Sequence, residues 1–262
     1  MAVCAVPDYD YAAQPTVAVP TCPVCGTANR SCPATDRVGY PIGVSQCKVC
    51  ELAYLNPRLT DDAYTVFYRD YYRRIVGMDA ERLLTQQRAH GESIGGFLKI
   101  RYARTGGRLL DVGGSTGEVA KAIAAEIPMT DICVVDPNSS ELGRAQGVTT
   151  RLGTIETADL SGPWDAIVCT QTIDHCTDPI LGLQKMRAAL APKGWLFLDI
   201  LDAPQWARHV KRATYDWKID HPLYWTDVSI RRALRQTGWR IIGILRYPES
   251  RTHLGFVCEG KD

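Results

Sequence analysis

No run of about 18 apolar residues occurs anywhere in the chain, so nothing in it reads as a membrane-crossing helix. An excess of one charge sign is missing as well: 30 Lys and Arg face 29 Asp and Glu, a net charge of +1. Binding a polyanion through its phosphates calls for a strongly basic surface, so this balance argues against general nucleic-acid binding, though a local basic patch is compatible with it. The first ten residues, MAVCAVPDYD, hold no Lys or Arg and no apolar core. A secretory leader is therefore not expected there, and a reducing, cytoplasmic setting is. Internal repeats and low-complexity segments are also lacking. The 262 residues fit one large domain, or one domain with a small appendage.

Cysteine is abundant, ten in all. Four form two pairs, Cys22-Pro-Val-Cys25-Gly and Cys47-Lys-Val-Cys50-Glu, each enclosing two residues, with 21 residues between Cys25 and Cys47. A tight turn lets two thiolates face one ion, and two such knuckles close a tetrahedral site. Gly26 can take the positive φ that such a turn favours. Four thiolates leave no open coordination position, so the expected role of Zn2+ at Cys22, Cys25, Cys47 and Cys50 is structural. A redox CxxC is the competing reading; it predicts one motif opening a helix, where this chain has two in a Pro- and Gly-rich segment. Cys32 lies between the pairs without a CxxC partner. Cys133, Cys169 and Cys258 sit in apolar stretches and read as small buried hydrophobes. Cys4 and Cys176 carry no signal.

The chain divides into a Pro-containing tail (1–20), a zinc module (21–58) with a strand expected around 38–45, a helical lid or linker (59–105), and a larger domain (106–262). Thr60 is placed to cap a helix that continues through Tyr64, Phe67, Tyr68, Tyr71 and Tyr72, aromatics that belong either to a lid or to a core. A second helix spans about 81–104, weakened by Gly91, Gly95 and Gly96. From residue 108 short apolar runs (108–113, 131–136, 166–170, 195–201) alternate with helical segments near 116–127, 139–146 and 179–191. That alternation predicts an α/β domain with a parallel sheet covered on both faces. A helix at 225–237 and two β-rich runs, 239–247 and 254–259, close the chain; their short connection requires antiparallel pairing.

The most specific stretch is Leu109-Leu110-Asp111-Val112-Gly113-Gly114-Ser115-Thr116-Gly117-Glu118. It leaves a strand and opens a helix, the setting in which a glycine-rich loop lets a ligand approach the backbone. Twenty-five residues after Asp111, the next strand ends in Val134-Val135-Asp136-Pro137, and an acid there can grip a ribose diol. For Asp136 the alternative is a cap on the helix that follows.

The order Asp-x-Gly-x-Ser-x-Gly resembles the first motif of class I S-adenosylmethionine-dependent methyltransferases, with Ser115 in place of the middle glycine. The resemblance continues through Gly162-Pro163-Trp164-Asp165-Ala166-Ile167-Val168-Cys169, Thr172-Ile173-Asp174-His175-Cys176-Thr177-Asp178-Pro179 and Leu190-Ala191-Pro192-Lys193-Gly194-Trp195, covering roughly residues 108–200. Asp174 stands where the family usually has Glu, and Lys193 where it has Gly. The resemblance implies a Rossmann-like sheet, mostly parallel with an antiparallel last strand, and S-adenosylmethionine as cofactor. It places Gly113, Gly114, Ser115 and Gly117 around the methionine part of the cofactor and Asp136 on the ribose. Thr154 and Ile155 would border the adenine, and Thr170 and Gln171 the sulfonium. Asp111 is expected to order the loop by accepting backbone N–H bonds.

The CxxC pairs, followed by Leu52-Ala53-Tyr54-Leu55-Asn56-Pro57-Arg58 and Phe67-Tyr68-Arg69-Asp70-Tyr71-Tyr72, are similar to the front end of zinc-ribbon-bearing bacterial methyltransferases of polysaccharide, deoxysugar and natural-product pathways. Asp220-His221-Pro222-Leu223-Tyr224-Trp225-Thr226 fits their tail. Sugar C-methyltransferases of this kind carry a further C-terminal domain that is not expected in this sequence, so the resemblance implies an O or N acceptor, with a sugar or nucleotide-linked sugar as the leading expectation. Methylating an alcohol or amine needs a base, and His175 and His221 are the candidates because imidazole titrates near neutral pH. Each could instead serve only in packing. Arg208, His209, Lys211 and Arg212 could hold phosphates or form a solvated helix face. The alternatives are an RNA methyltransferase with a zinc knuckle and a catalytically inactive cofactor-binding partner protein.

Overall fold

A computed structural model of the chain describes residues 9–73, 79–102, 107–203, 217–247 and 253–261. Cys4 and the basic run Arg208, His209, Lys211 and Arg212 lie outside the described residues. In the N-terminal part, β1 (Thr16–Val17) is followed by β2 (Cys32–Thr35), β3 (Pro41–Gln46), β4 (Ala53–Leu55) and β5 (Arg58–Leu59). The expected strand at 38–45 is thus β3, displaced to begin after the Asp36–Tyr40 turn, where the Asp36 carboxylate accepts the Val38 and Tyr40 amides at 2.9 Å. β1 pairs antiparallel with β5, and Tyr9 and Tyr11 are buried against Tyr64 and Phe67. The tail is therefore packed from Tyr9 onward, because two tyrosines bring enough apolar area to hold a short extended segment down.

Helix α1 (Asp61–Asp70) starts at Thr60, whose hydroxyl accepts the Ala63 amide at 3.3 Å, with Asp61 and Asp62 facing the positive end of the helix dipole. Helix α2 (Ala80–Tyr102) tolerates its glycines for a packing reason. A Cβ on Gly91 would lie 2.6 Å from the Val119 carbonyl oxygen, and one on Gly95 would lie 3.0 Å from the Glu126 side chain. These two positions let α2 press against α3 (Glu118–Glu126). Gly96 faces open space.

The large sheet is built from β6 (Gly107–Val112), β7 (Met129–Asp136), β8 (Thr149–Leu152), β9 (Trp164–Cys169), β10 (Leu190–Leu201), β12 (Trp239–Arg246) and β13 (His253–Gly260), in the order β12-β13-β10-β9-β6-β7-β8. The ladders from β10 through β9, β6 and β7 to β8 are parallel, and β13 runs antiparallel to both β10 and β12. This is the expected Rossmann-like arrangement with the last strand reversed. The inner strands carry apolar residues on both faces, as a sheet covered by helices on each side requires. α4 (Ser139–Leu142) and α5 (Pro179–Ala189) complete the alternation.

The cysteine module is joined to the large sheet by one segment. β11 (Leu223–Tyr224) adds to β4 to give the four-stranded sheet β11-β4-β3-β2, and α6 (Asp227–Gln236) follows at once behind a Thr226/Ser229 capping box. Cys22, Cys50, Leu52 and Tyr54 share one buried cluster with Trp225, Ile230, Leu234 and the sheet residue Leu198. Gln236 Nε2 donates to the Val24 carbonyl at 2.7 Å. No helix among the described residues is long and apolar enough to cross a membrane.

Candidate functional site

The loop between β6 and α3 is shaped by close contacts that only small residues permit. A Cβ on Gly113 would meet Thr172 Oγ1 at 2.1 Å, and one on Gly114 would meet the Asp111 carboxylate at 2.4 Å. Gly117 (φ 77°) stands at the N-cap of α3. Ser115 also has a left-handed φ, 53°, so its replacement of glycine carries a backbone cost of roughly 1–2 kcal/mol. Its side chain compensates: Oγ donates to Glu141 Oε2 at 3.0 Å and accepts from Arg73 at 3.1 Å. Glu141 is nearly fully buried and also pairs with Arg73 at 3.1 Å.

Asp111 lies beneath the loop, fully buried, and neither of its oxygens accepts a hydrogen bond among the described residues. The expected amide bonds are not made. Burial, then the nearby Asp136 charge, pushes its carboxyl up to about 7. Asp136 has the amide-holding role instead: Oδ2 accepts the Ser115 N–H at 2.9 Å and Oδ1 the Asn138 N–H at 2.8 Å. Burial raises its carboxyl and these two amides pull it back. Asp136 is not the cap of α4; Asn138 is, accepting the Ser140 and Glu141 amides. Each Asp136 oxygen thus retains accepting capacity after fixing the loop.

These groups open onto a cleft of about 290 Å³. Gly113, Gly114, Ser115, Asp136, Thr154, Ile155, Thr170 and Gln171 all line it; Asp111 and Gly117 support it from outside the lining. Glycines whose Cβ positions are occupied, an acid held by backbone amides with oxygens to spare, and an apolar Ile155 wall together fit a nucleoside bearing a charged amino-acid tail.

His175 lines the same cleft, whereas His221 lies behind it, its ring packed edge-on against His175 with centroids 4.5 Å apart. His175 Nδ1 is 2.7 Å from the Asp220 carbonyl, which can only accept, so Nδ1 carries the proton. Tyr68 is 2.9 Å from the same nitrogen and donates its own proton to Asp220 O at 2.7 Å. Burial pushes both imidazoles below their usual range, His221 strongly. The α1 tyrosines divide: Tyr64 and Phe67 enter the core, while Tyr68 and Tyr72 face the cleft. They are core and wall at once.

One pair, with a member on the cleft, escaped the sequence reading. His90, on α2, lines the cleft and places Nε2 at 2.8 Å from Asp199 Oδ2. Asp199 sits fully buried in β10, where it also accepts the Tyr247 hydroxyl at 3.1 Å and the Gln171 amide at 2.7 Å. A signal for it existed: Asp199 is the lone charge in the run Trp-Leu-Phe-Leu-Asp-Ile-Leu.

At the module, Cys22, Cys25, Cys47 and Cys50 place their sulfurs within 4.8 Å of one another, with Cys22–Cys50 and Cys25–Cys47 each at 3.4 Å. Tetrahedral bonds of about 2.3 Å set sulfurs roughly 3.8 Å apart, so the four can hold a zinc-sized ion. The knuckles repeat one another: Cys22 and Cys47 accept the Gly26 and Glu51 amides, and both of those residues have positive φ. Cys32 is exposed and outside the cluster, while Cys133, Cys169 and Cys258 are buried as expected.

A sequence profile of the methyltransferase domain matches residues 86–243. A ubiquinone biosynthesis O-methyltransferase from Xanthomonas campestris pv. campestris is 29% identical over 114 residues, 40% of this chain and 48% of that protein. One from Xylella fastidiosa is 26% identical over 114 residues, 40% of this chain and 46% of that protein. The chain spans about half the length of these curated relatives. Among solved structures, an S-adenosylmethionine-dependent methyltransferase from Clostridium acetobutylicum aligns with a TM-score of 0.54 at 10% identity, covering 73% of this chain and 96% of that one. Another, from Leishmania major, gives 0.56 at 20% identity over 75% and 80% of the two chains. At these identities the likeness is one of fold.

Proposed function

The chain belongs to the class I S-adenosylmethionine-dependent methyltransferases, and on that premise we propose that it methylates a hydroxyl oxygen of a small molecule, with a sugar or nucleotide-linked sugar as the leading acceptor. The observation that carries this reading is a single cleft bordered by the glycine loop, Asp136 and two imidazoles, His90 and His175. Bound S-adenosylmethionine supplies an electrophilic methyl group on a cationic sulfur. In this proposal Gly113, Gly114 and Ser115 receive its methionine part, Asp136 holds the ribose hydroxyls, Thr154 and Ile155 border the adenine, and Thr170 and Gln171 flank the sulfur. The protein's part in the transfer is then to hold the acceptor oxygen near the methyl carbon and to take up its proton.

Oxygen is preferred to nitrogen because the curated relatives are named as O-methyltransferases and because an imidazole-lined cleft suits proton removal from a hydroxyl. Those relatives also bring a ubiquinone-type acceptor forward as the second reading. RNA ranks lower on the net charge of +1. The four cysteines are assigned to structural zinc.

The test is calorimetry with S-adenosylmethionine, followed by tritiated-methyl transfer to a panel of UDP-hexoses, dihydroxybenzoates and total RNA. Transfer to a UDP-hexose hydroxyl is expected. Labelled dihydroxybenzoate moves the acceptor to the ubiquinone-like class, and labelled RNA, with affinity falling steeply in salt, overturns the small-molecule reading.

A further inference from the structure

His90 and Asp199 form an oriented acid–imidazole pair on the cleft that neither the glycine loop nor the sequence motifs account for. An ionised carboxylate only accepts, so the 2.8 Å contact places the ring proton on His90 Nε2 and leaves Nδ1 with its lone pair. No described residue hydrogen-bonds that Nδ1.

Asp199 is held from three sides. The His90 ring and the Tyr247 hydroxyl converge on Oδ2, and the Gln171 N–H reaches Oδ1 at 2.7 Å. Gln171 delivers that N–H from a left-handed backbone, φ 48°, a conformation that persists only where its surroundings enforce it. The Tyr247 ring stacks on the imidazole at 5.0 Å and 21°, and His253 meets it edge-on at 6.3 Å, so the orientation of His90 is fixed by two further elements. Burial alone would raise the Asp199 carboxyl; the His90 ring, His253 and the Gln171 amide outweigh it and hold the group below its usual value. One turn before His90 on the same helix, Gln87 also lines the cleft, and its buried Oε1 has no partner among the described residues.

The pair contrasts with His175. There the protonated nitrogen faces the Asp220 backbone carbonyl, while the Asp220 carboxylate, whose charge also favours the imidazolium, lies 3.5 Å from His221 Nε2 and accepts no bond from the His175 ring. At His90 the carboxylate itself accepts the ring N–H.

We propose that His90, positioned by Asp199, is the base that takes the proton of the acceptor hydroxyl, with Gln87 Oε1 receiving a second hydroxyl of the same molecule. The inference rests on the O-methylation reading above. As the acceptor oxygen bonds to the methyl carbon, the carbon–sulfur bond breaks with its electron pair on sulfur, giving S-adenosylhomocysteine. The hydroxyl proton passes to His90 Nδ1, and the imidazolium so formed is stabilised through Nε2–H by Asp199, which stays ionised. The acceptor class is accordingly a molecule with at least two hydroxyls.

The test uses the full chain labelled with nitrogen-15 histidine. His90 is expected to show a protonated Nε2 and a bare Nδ1, and to shift when S-adenosylhomocysteine binds. Asp199→Asn is expected to relax that tautomer, so that part of the ring proton moves to Nδ1. His253 and Tyr247 are the other titratable groups facing the ring, and His253→Gln is expected to leave the tautomer unchanged. A proton on Nδ1 in the unaltered protein, or a tautomer unmoved by Asp199→Asn, overturns the proposal. In the methyl-transfer panel, His90→Gln is expected to lower kcat for a hydroxyl acceptor at least about 100-fold while keeping cofactor affinity. Undiminished hydroxyl transfer by His90→Gln removes this base and leaves the O-methylation reading standing. Failure of the unaltered protein to label any hydroxyl removes that reading instead, and the histidine spectra then still report whether the pair exists.

Discussion

Asp136 accepts the Ser115 amide at 2.9 Å, so one carboxylate ties the glycine loop to the end of the neighbouring strand. The same residue is proposed to hold the cofactor ribose, which makes loop geometry and cofactor affinity a single property. Asp136→Ala is expected to weaken S-adenosylmethionine binding roughly 10- to 150-fold, the equivalent of about 1.5–3 kcal/mol for hydrogen bonds to a charged group. Asp136→Asn, which keeps one accepting oxygen, should fall between. Calorimetry measures both, and an affinity within threefold of the unaltered protein for Asp136→Ala contradicts the assignment.

Ser115 separates two contributions that glycine would combine. Ser115→Ala keeps the left-handed backbone and loses the hydroxyl bonded to Glu141 and Arg73, so both costs remain. Ser115→Gly loses the same hydroxyl but relieves about 1–2 kcal/mol of backbone cost. Urea unfolding is expected to rank the proteins as Ser, then Gly, then Ala. Equal stability of the two variants would show that φ at this position carries no cost.

The strands of the large sheet were legible because buried parallel strands are continuous apolar runs, and the cysteine cluster because its spacing is itself the geometry of a knuckle. β8 gave no such run: it is an edge strand, Thr-Thr-Arg-Leu, with three of four residues exposed. The His90–Asp199 pair was hidden for another reason. Its members are 109 residues apart and belong to α2 and β10, and no local pattern reports which face of a helix meets which strand end. The tyrosine spacing on α1 announced a helix but could not show that Tyr64 points into the core while Tyr68 faces the cleft. His175 and His221 were candidates because imidazole titrates near neutral pH, a property that does not report which ring lines the cleft and which packs behind it.

Asp174 gives a pH signature. Burial, then the Asp199 charge, raises its carboxyl to about 8 against relief from Lys218, and its Oδ1 has no hydrogen-bond partner among the described residues. Between the unfolded value near 4 and the folded value, the unfolded chain has lost this proton and the native chain has kept it. Stability from this group therefore falls as pH rises through that window. Asp174→Asn is neutral and nearly isosteric, so it should gain on the unaltered protein with rising pH, by at most about 4 kcal/mol between pH 5 and 8. The buried neutral imidazoles His175 and His221 act oppositely, costing stability as pH falls below the usual histidine range, and they cancel in the difference. Urea titrations at both pH values measure it; a constant difference contradicts the raised carboxyl.

The cysteine site should unfold with the catalytic domain rather than before it. Cys50 and Leu52 share a buried cluster with Trp225 and Leu234, β11 belongs to the module's sheet, and α6 bonds back to Val24. With zinc proposed at Cys22, Cys25, Cys47 and Cys50, its loss would leave four thiols facing one another, and structural zinc sites contribute folding energy directly. The unaltered protein is expected to carry about one zinc per chain by elemental analysis. Cys47→Ser should lower zinc content and shift a single calorimetric transition to lower temperature, with loss of S-adenosylmethionine binding at the temperature where the module melts. Two separate transitions in Cys47→Ser, the later one at the unaltered Tm, would instead mean that the module and the sheet are independent in stability despite the segment that joins them.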